Sequence, residues 1–224
     1  MADENLDRDA QVVKIVLLGD SGVGKSSLAL RFVTNEFKPY SECTIGASFM
    51  SKTISVQDER PIDNANTNTR SKKVAFKIWD TAGQEKYHSL APMYYRGAGA
   101  ACLVYDICKD ATYETLQRWT EELKSNGPPN IVLVVCGNKS DLSEYRQVDF
   151  DMAKKYADSI GAIFLETSAK ADKNVQEIFY EVAKKVPAPL KAEDDISGEF
   201  EYQGGQHLNL RYEDNGGSSW LSWC

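Results

Sequence analysis

Gly19-Asp20-Ser21-Gly22-Val23-Gly24-Lys25-Ser26 fits the pattern G-x-x-x-x-G-K-[ST], and its surroundings decide how the rest of the chain is read. It follows an apolar run from Val12 to Leu18, broken only by Lys14, and precedes Leu28, Ala29, Phe32 and Val33 at helical spacing. Strand, glycine loop and helix in that order gather anionic phosphate. A tight loop turns several backbone N–H groups onto one point, and the helix N-terminus adds positive potential. Ser21, Gly22, Val23, Gly24 and Ser27 would lend the loop's donors, Lys25 would reach the β- and γ-phosphates, and the Ser26 hydroxyl would ligate Mg²⁺. The octapeptide alone does not separate GTPases from ATPases or P-loop kinases.

Outward from the loop, apolar runs alternate with helical patterns. Strand-like runs are Thr53 to Val56, Val74 to Trp79, Ala101 to Tyr105, Ile131 to Cys136 and Ile163 to Leu165. Between the later ones, Leu116, Trp119, Thr120 and Leu123 mark one amphipathic helix, and Met152, Ala153, Tyr156, Ala157 and Ile160 another. Val175, Ile178, Phe179, Val182, Ala183 and Val186 form a stripe on a last helix, with Asn174 and Glu177 as its expected capping pair. This alternation predicts an α/β fold: a mostly parallel six-stranded sheet with one antiparallel edge strand and helices on both faces. The expected boundaries are an N-terminal extension over 1–10, a nucleotide-binding domain over 11–186 and a flexible acidic tail over 187–224. Gln57 to Lys73 is polar and rich in Asn and Thr, which predicts an extended hairpin loop inserted between two strands.

Two further clusters narrow the chemistry. Asp80-Thr81-Ala82-Gly83-Gln84 closes the Val74–Trp79 strand. There a carboxylate can hold Mg²⁺, Gly83 can let backbone approach a γ-phosphate, and Gln84 can orient an attacking water. Taken singly, Asp80 also suits a helix cap and Gln84 a solvated surface. Asn138-Lys139-Ser140-Asp141 follows the Ile131–Cys136 strand. The Asp141 carboxylate offers two acceptors to guanine N1–H and N2–H₂, a match that adenine lacks. Asn138 can bond guanine N7 and brace the phosphate loop, while the Lys139 stem packs along the ring. Ser168-Ala169-Lys170, after the next strand, can present the Ala169 N–H to guanine O6.

Together these residues resemble the signature of the Ras superfamily of small GTPases. Trp79 to Ala98 (WDTAGQEKYHSLAPMYYRGA) and Cys43-Thr44-Ile45-Gly46-Ala47-Ser48-Phe49 look most like the early-endosomal subgroup of its Rab branch. The resemblance spans about residues 11 to 186 and implies a GTP/GDP switch that hydrolyses GTP with Mg²⁺, using Gln84 and Lys25. It implies Thr44 as a Mg²⁺ ligand formed only in the GTP state and Phe37 lying edge-on to guanine. Ile45, Phe49, Trp79 and Tyr94 would be an effector-reading surface, with core packing as the competing reading of Trp79. Expected partners are a GTPase-activating protein, an exchange factor, a dissociation inhibitor and effectors, acting on a monomer. The expected location is cytoplasmic, with reversible association to early endosomes or vesicles. No arginine falls at an obvious in-cis position, so intrinsic turnover should be slow.

Composition excludes several other classes. A net charge of -7 argues against a sequence-independent grip on nucleic acid. The five cysteines show no metal-ligand or disulfide-rich spacing, and no apolar run is long enough to span a bilayer. The tail sets Lys191 and Arg211 against Glu193, Asp194, Asp195, Glu199, Glu201, Glu213 and Asp214, which disfavours an anionic leaflet. Cys224 stands alone after Trp220-Leu221-Ser222-Trp223, outside any C-a-a-X box. A single geranylgeranyl group on Cys224 is the remaining route to a lipid anchor.

Overall fold

Side chains alternate across the first strand, β1 (Gln11–Leu18), and both sides are buried: Val13, Ile15 and Leu17 face one layer, Val16 and Leu18 the other. A strand with two apolar faces needs cover on both, which a crossover fold supplies. The computed structural model describes residues 10–40, 42–57, 71–83 and 91–187, all within the unit Met1–Pro189. In chain order the elements are β1, α1 (Lys25–Thr34), β2 (Ala47–Gln57), β3 (Ser71–Thr81), α2 (Ala91–Tyr95), β4 (Ala100–Asp106), α3 (Asp110–Asn126), β5 (Val132–Asn138), α4 (Phe150–Ser159), β6 (Ile163–Glu166) and α5 (Val175–Lys185), with a 3₁₀ segment at Ser140–Tyr145. The sheet runs β2-β3-β1-β4-β5-β6, parallel except for the edge pair β2 and β3. The α/β class, six strands and single antiparallel edge agree with expectation.

One face is closed by α1 and α5, where Phe32, Phe76 and Phe179 pack with Ile15 and Leu17. The other is closed by α3 and α4, where Leu116, Trp119, Leu123, Ala153 and Ala157 meet Val16, Leu103 and Val135. All seven residues of β4, the strand between β1 and β5, are buried. Among the described residues no helix is long and apolar enough to cross a membrane.

Three local expectations need correction. The edge strand is not Thr53 to Val56 alone, because β2 pairs with β3 from Ala47↔Thr81 to Gln57↔Ser71. Gln57 and Ser71 to Lys73 are therefore strand residues; residues 58–70 of the expected 57–73 loop lie outside the described residues. Asn174 does occupy the N-cap of α5, but its φ of 56° aims the side chain elsewhere: Nδ2 donates to the Glu166 carbonyl at 2.8 Å. By contrast α4 is capped from its side chain, Asp149 Oδ1 accepting from the Met152 N–H at 2.8 Å.

Candidate guanine-nucleotide site

The carboxyl ends of β1, β3, β5 and β6 point to one rim of the sheet, the usual place for a ligand in an open α/β fold. There a cavity of about 340 Å³ gathers residues far apart in the chain. Its wall includes Ser21, Gly22, Gly24, Lys25, Ser26, Ser27, Thr44 and Gly83 from the phosphate-loop side, Asn138, Lys139, Asp141, Ala169 and Lys170 from the base-loop side, and Phe37. Val23, Asp80 and Ser168 stand behind the wall, buried. Gln84 and Cys224 lie outside the described residues.

The phosphate-loop end is built on backbone. Gly24 sits at φ 100°, and a Cβ there would stand 2.3 Å from Asn138 Nδ2. Lys25 is 5% exposed, and its Nζ donates to the Gly19 and Asp20 carbonyls at 2.9 and 2.8 Å. Burial lowers its pKa to about 8, against the opposing pull of Asp80 and Asp20. Gly83 passes so close that a Cβ would fall 2.4 Å from the Asp20 carbonyl and the Ser21 nitrogen. Only glycine lets the end of β3 meet the loop.

Four oxygen-bearing side chains converge beside Lys25. Ser26 Oγ lies 2.7 Å from Thr44 Oγ1, Thr44 Oγ1 lies 3.5 Å from Asp80 Oδ2, and Ser48 Oγ donates to Asp80 Oδ2 at 3.3 Å. Asp80 is 1% exposed, and its Oδ1 has no hydrogen-bond partner among the described residues. Burial pushes the carboxyl pKa up, opposed by the Ser26 hydrogen bond and the Lys25 charge. A buried carboxylate with a spare oxygen beside the Ser26 and Thr44 hydroxyls is a hard-donor set that fits Mg²⁺, which binds through few protein ligands plus phosphate.

At the far end Asn138 is buried and bonded on both sides. Its Nδ2 donates to the Val23 carbonyl at 2.8 Å, and its Oδ1 accepts from Thr167 Oγ1 at 3.2 Å and the Ala169 N–H at 3.3 Å. Lys139 has a left-handed backbone (φ 69°), and its Nζ pairs with the buried Asp106 Oδ2 at 2.7 Å. Ser168 Oγ donates to Asp141 Oδ1 at 2.5 Å while accepting from the Ala171 N–H at 2.9 Å. The carboxylate is thus aimed, with Oδ2 and spare lone pairs left for a ligand.

Sequence reading missed Arg31 and Thr167. Arg31, on α1, donates through Nε to the Ala169 carbonyl at 2.8 Å and through Nη2 to that of Lys170 at 3.2 Å, bracing the loop at the base end. The partners Arg31 and Ala169 are 138 positions apart, so nothing local in the sequence signals the contact.

Outside the cavity, Ile45 is 84% exposed and Phe49 55% exposed. Trp79 and Tyr94 are half-buried, with ring centroids 6.0 Å from Phe49 to Trp79 and 6.3 Å from Trp79 to Tyr94. Lys14 Nζ stands 4.6 Å over the Trp79 ring. The aromatic strip is continuous at the surface, so neither simple core packing nor full exposure describes Trp79.

Residues 14–188 match the Ras family. The chain belongs to that family. This Ras-family protein is 51% identical over 174 residues to the Ras-related protein RABF2b of Arabidopsis thaliana, covering 78% of this chain and 80% of the relative. It is 49% identical over 185 residues to Ras-related protein Rab5A of Oryza sativa subsp. japonica, covering 83% and 85%. Over 176 residues it is 51% identical to human Ras-related protein Rab-22A, covering 79% and 84%. It is a Rab-type small GTPase: a guanine-nucleotide switch that hydrolyses GTP.

Proposed function

We propose that this Rab-type GTPase acts at the cytosolic face of early endosomes, recruiting effectors to the Ile45, Phe49, Trp79 and Tyr94 surface while GTP is bound. The observation that carries the site assignment is Asn138, which bonds the phosphate loop at Val23 and the base loop at Ala169, so one cavity serves both ends of one nucleotide. Asp141 selects guanine, the Ala169 N–H moves from Asn138 toward O6, and Phe37 flanks the ring. At the other end Lys25 exchanges two loop carbonyls for β- and γ-phosphate oxygens. Its ammonium and the loop N–H groups then sit where charge develops as water displaces the γ-phosphate.

Ser26 and Thr44, with Asp80 behind them, would hold Mg²⁺, whose positive charge would offset that of the phosphate oxygens. Thr44 and the Gly83 backbone lose their γ-phosphate contacts once the bond is broken, and the two segments that carry them are released. The same contacts give the exchange factor, GTPase-activating protein and dissociation inhibitor two forms to tell apart.

Gln84 is assigned the orientation of the attacking water. Gln84→Leu is expected to slow single-turnover hydrolysis by roughly 10²-fold, the cost of a misplaced nucleophile. GTP affinity should stay within about two-fold, since the side chain is asked to act on water rather than on the bound nucleotide. A hydrolysis rate equal to that of the unaltered protein removes Gln84 from this role. Ser26→Asn is expected to weaken Mg²⁺-dependent GTP retention by roughly ten-fold or more and GDP retention less. Dissociation rates with Mg²⁺ and with chelator read the difference; equal losses in both conditions would place Ser26 outside the metal shell.

A further inference from the structure

Asn138 is held from behind by a hydroxyl, and that hydroxyl is held in turn by a thiol. Thr167 Oγ1, in a fully buried residue, lies 3.2 Å from Asn138 Oδ1 and 3.1 Å from Cys136 Sγ. Cys136, on β5, is also fully buried, so neither group has water as an alternative partner.

Counting protons gives the chain a direction. The Nδ2 bond to the Val23 carbonyl fixes the amide, so Oδ1 must be the atom facing Thr167 and the Ala169 N–H. An amide oxygen only accepts, and a hydroxyl has one hydrogen. Two bare oxygens at that separation in a dry interior would repel, so the Thr167 hydrogen lies between them. The lone pairs of the hydroxyl are then left toward Cys136, whose S–H becomes the donor. The order is Cys136 S–H to Thr167 O–H to Asn138 C=O, with Asn138 N–H passing on to the Val23 carbonyl. One hydrogen of Nδ2 remains for a ligand.

We propose that Cys136, acting through Thr167, is a positioning residue for purine recognition: it sets the angle at which that remaining Asn138 N–H meets N7 of the base. The proposal rests on the assignment of Asn138 to N7 made above. A thiol in mid-strand thereby takes part in nucleotide retention without touching the nucleotide.

The test uses the full chain and displacement of fluorescent GDP by GTP and by 7-deaza-GTP, which lacks N7. The unaltered protein should favour GTP by about five-fold, the equivalent of one net hydrogen bond. Thr167→Val, Cys136→Ala and Cys136→Val, the last filling the volume without a donor, should each bring that ratio to about two or less. Cys136→Ser keeps a donor and should restore it. Val134→Ala, a buried apolar neighbour on β5, should lower the melting temperature while leaving the ratio alone. A ratio unchanged in Thr167→Val, or in whichever Cys136 variant folds, overturns the relay. Equal binding of GTP and 7-deaza-GTP by the unaltered protein would instead overturn the N7 contact itself, and the relay with it.

Discussion

Asp141→Asn is expected to lower affinity for GTP by about two to three orders of magnitude and to raise affinity for XTP at the same time. Guanine offers two adjacent donors, N1–H and N2–H₂, and the carboxylate accepts both. An amide keeps one acceptor and turns an NH₂ toward the other donor, which loses a charge-assisted bond and leaves a buried donor facing a donor. Those terms together amount to about 3–4 kcal/mol, hence the size of the effect. Xanthine carries an oxygen in place of the 2-amino group, so the same NH₂ becomes a partner. The change should leave the framework in place, because Ser168 Oγ can donate to an amide oxygen as it does to Asp141 Oδ1 at 2.5 Å. Competitive displacement of labelled GDP by GTP and XTP measures both halves. If guanine preference survives the substitution, the base-end assignment fails.

The second large effect is expected at Lys25. Lys25→Ala should cost GTP about two to three orders of magnitude in affinity, the range for removing one member of a hydrogen-bonded, desolvated charge pair. Guanosine, which has no phosphate, should lose little. Equal losses for GTP and guanosine would show that the substitution damaged the fold rather than the phosphate contact. The depressed pKa adds a pH signature. In the nucleotide-free protein the ammonium titrates near pH 8 rather than at its ordinary 10.5. Phosphate needs it charged, so apparent GTP affinity should be flat below about pH 8 and fall up to about ten-fold per unit above. Stability of the nucleotide-free fold moves the other way. Between pH 8 and 10.5 the unfolded chain binds more protons than the native one at this residue, so this contribution grows as pH rises through that window. Lys25→Ala should abolish both slopes.

The phosphate loop was legible because its chemistry is local: eight consecutive residues carry the glycines, the lysine and the hydroxyl between an apolar strand and an amphipathic helix. The base end was legible in pieces, as Asn138-Lys139-Ser140-Asp141 and Ser168-Ala169-Lys170, each behind an apolar strand. What joins the pieces was not. Arg31 reaching two carbonyls of the base loop, and Thr167 bonding Asn138 from behind, depend on tertiary geometry that no spacing encodes. The edge strand was read too short for a different reason. Exposed Ser48, Ser51 and Gln57 interrupt β2 as loop residues would, yet an edge strand with one solvated face tolerates them. Asn174 misled because a residue type that caps helices through its side chain also visits the left-handed region freely, and here the second property operates.

The long pairing of β2 with β3 has a consequence for how this chain can vary. Ala47↔Thr81 closes the ladder beside the nucleotide, whereas Gln57↔Ser71 ends it ten residues further along, about 33 Å away at strand rise. Whatever sequence joins Gln57 to Ser71 is attached at the end remote from the chemistry. Lineages can therefore lengthen, trim or decorate that connection under their own selection, acquiring a separate point of attachment for other molecules, while the hydrolytic machinery stays under an independent constraint.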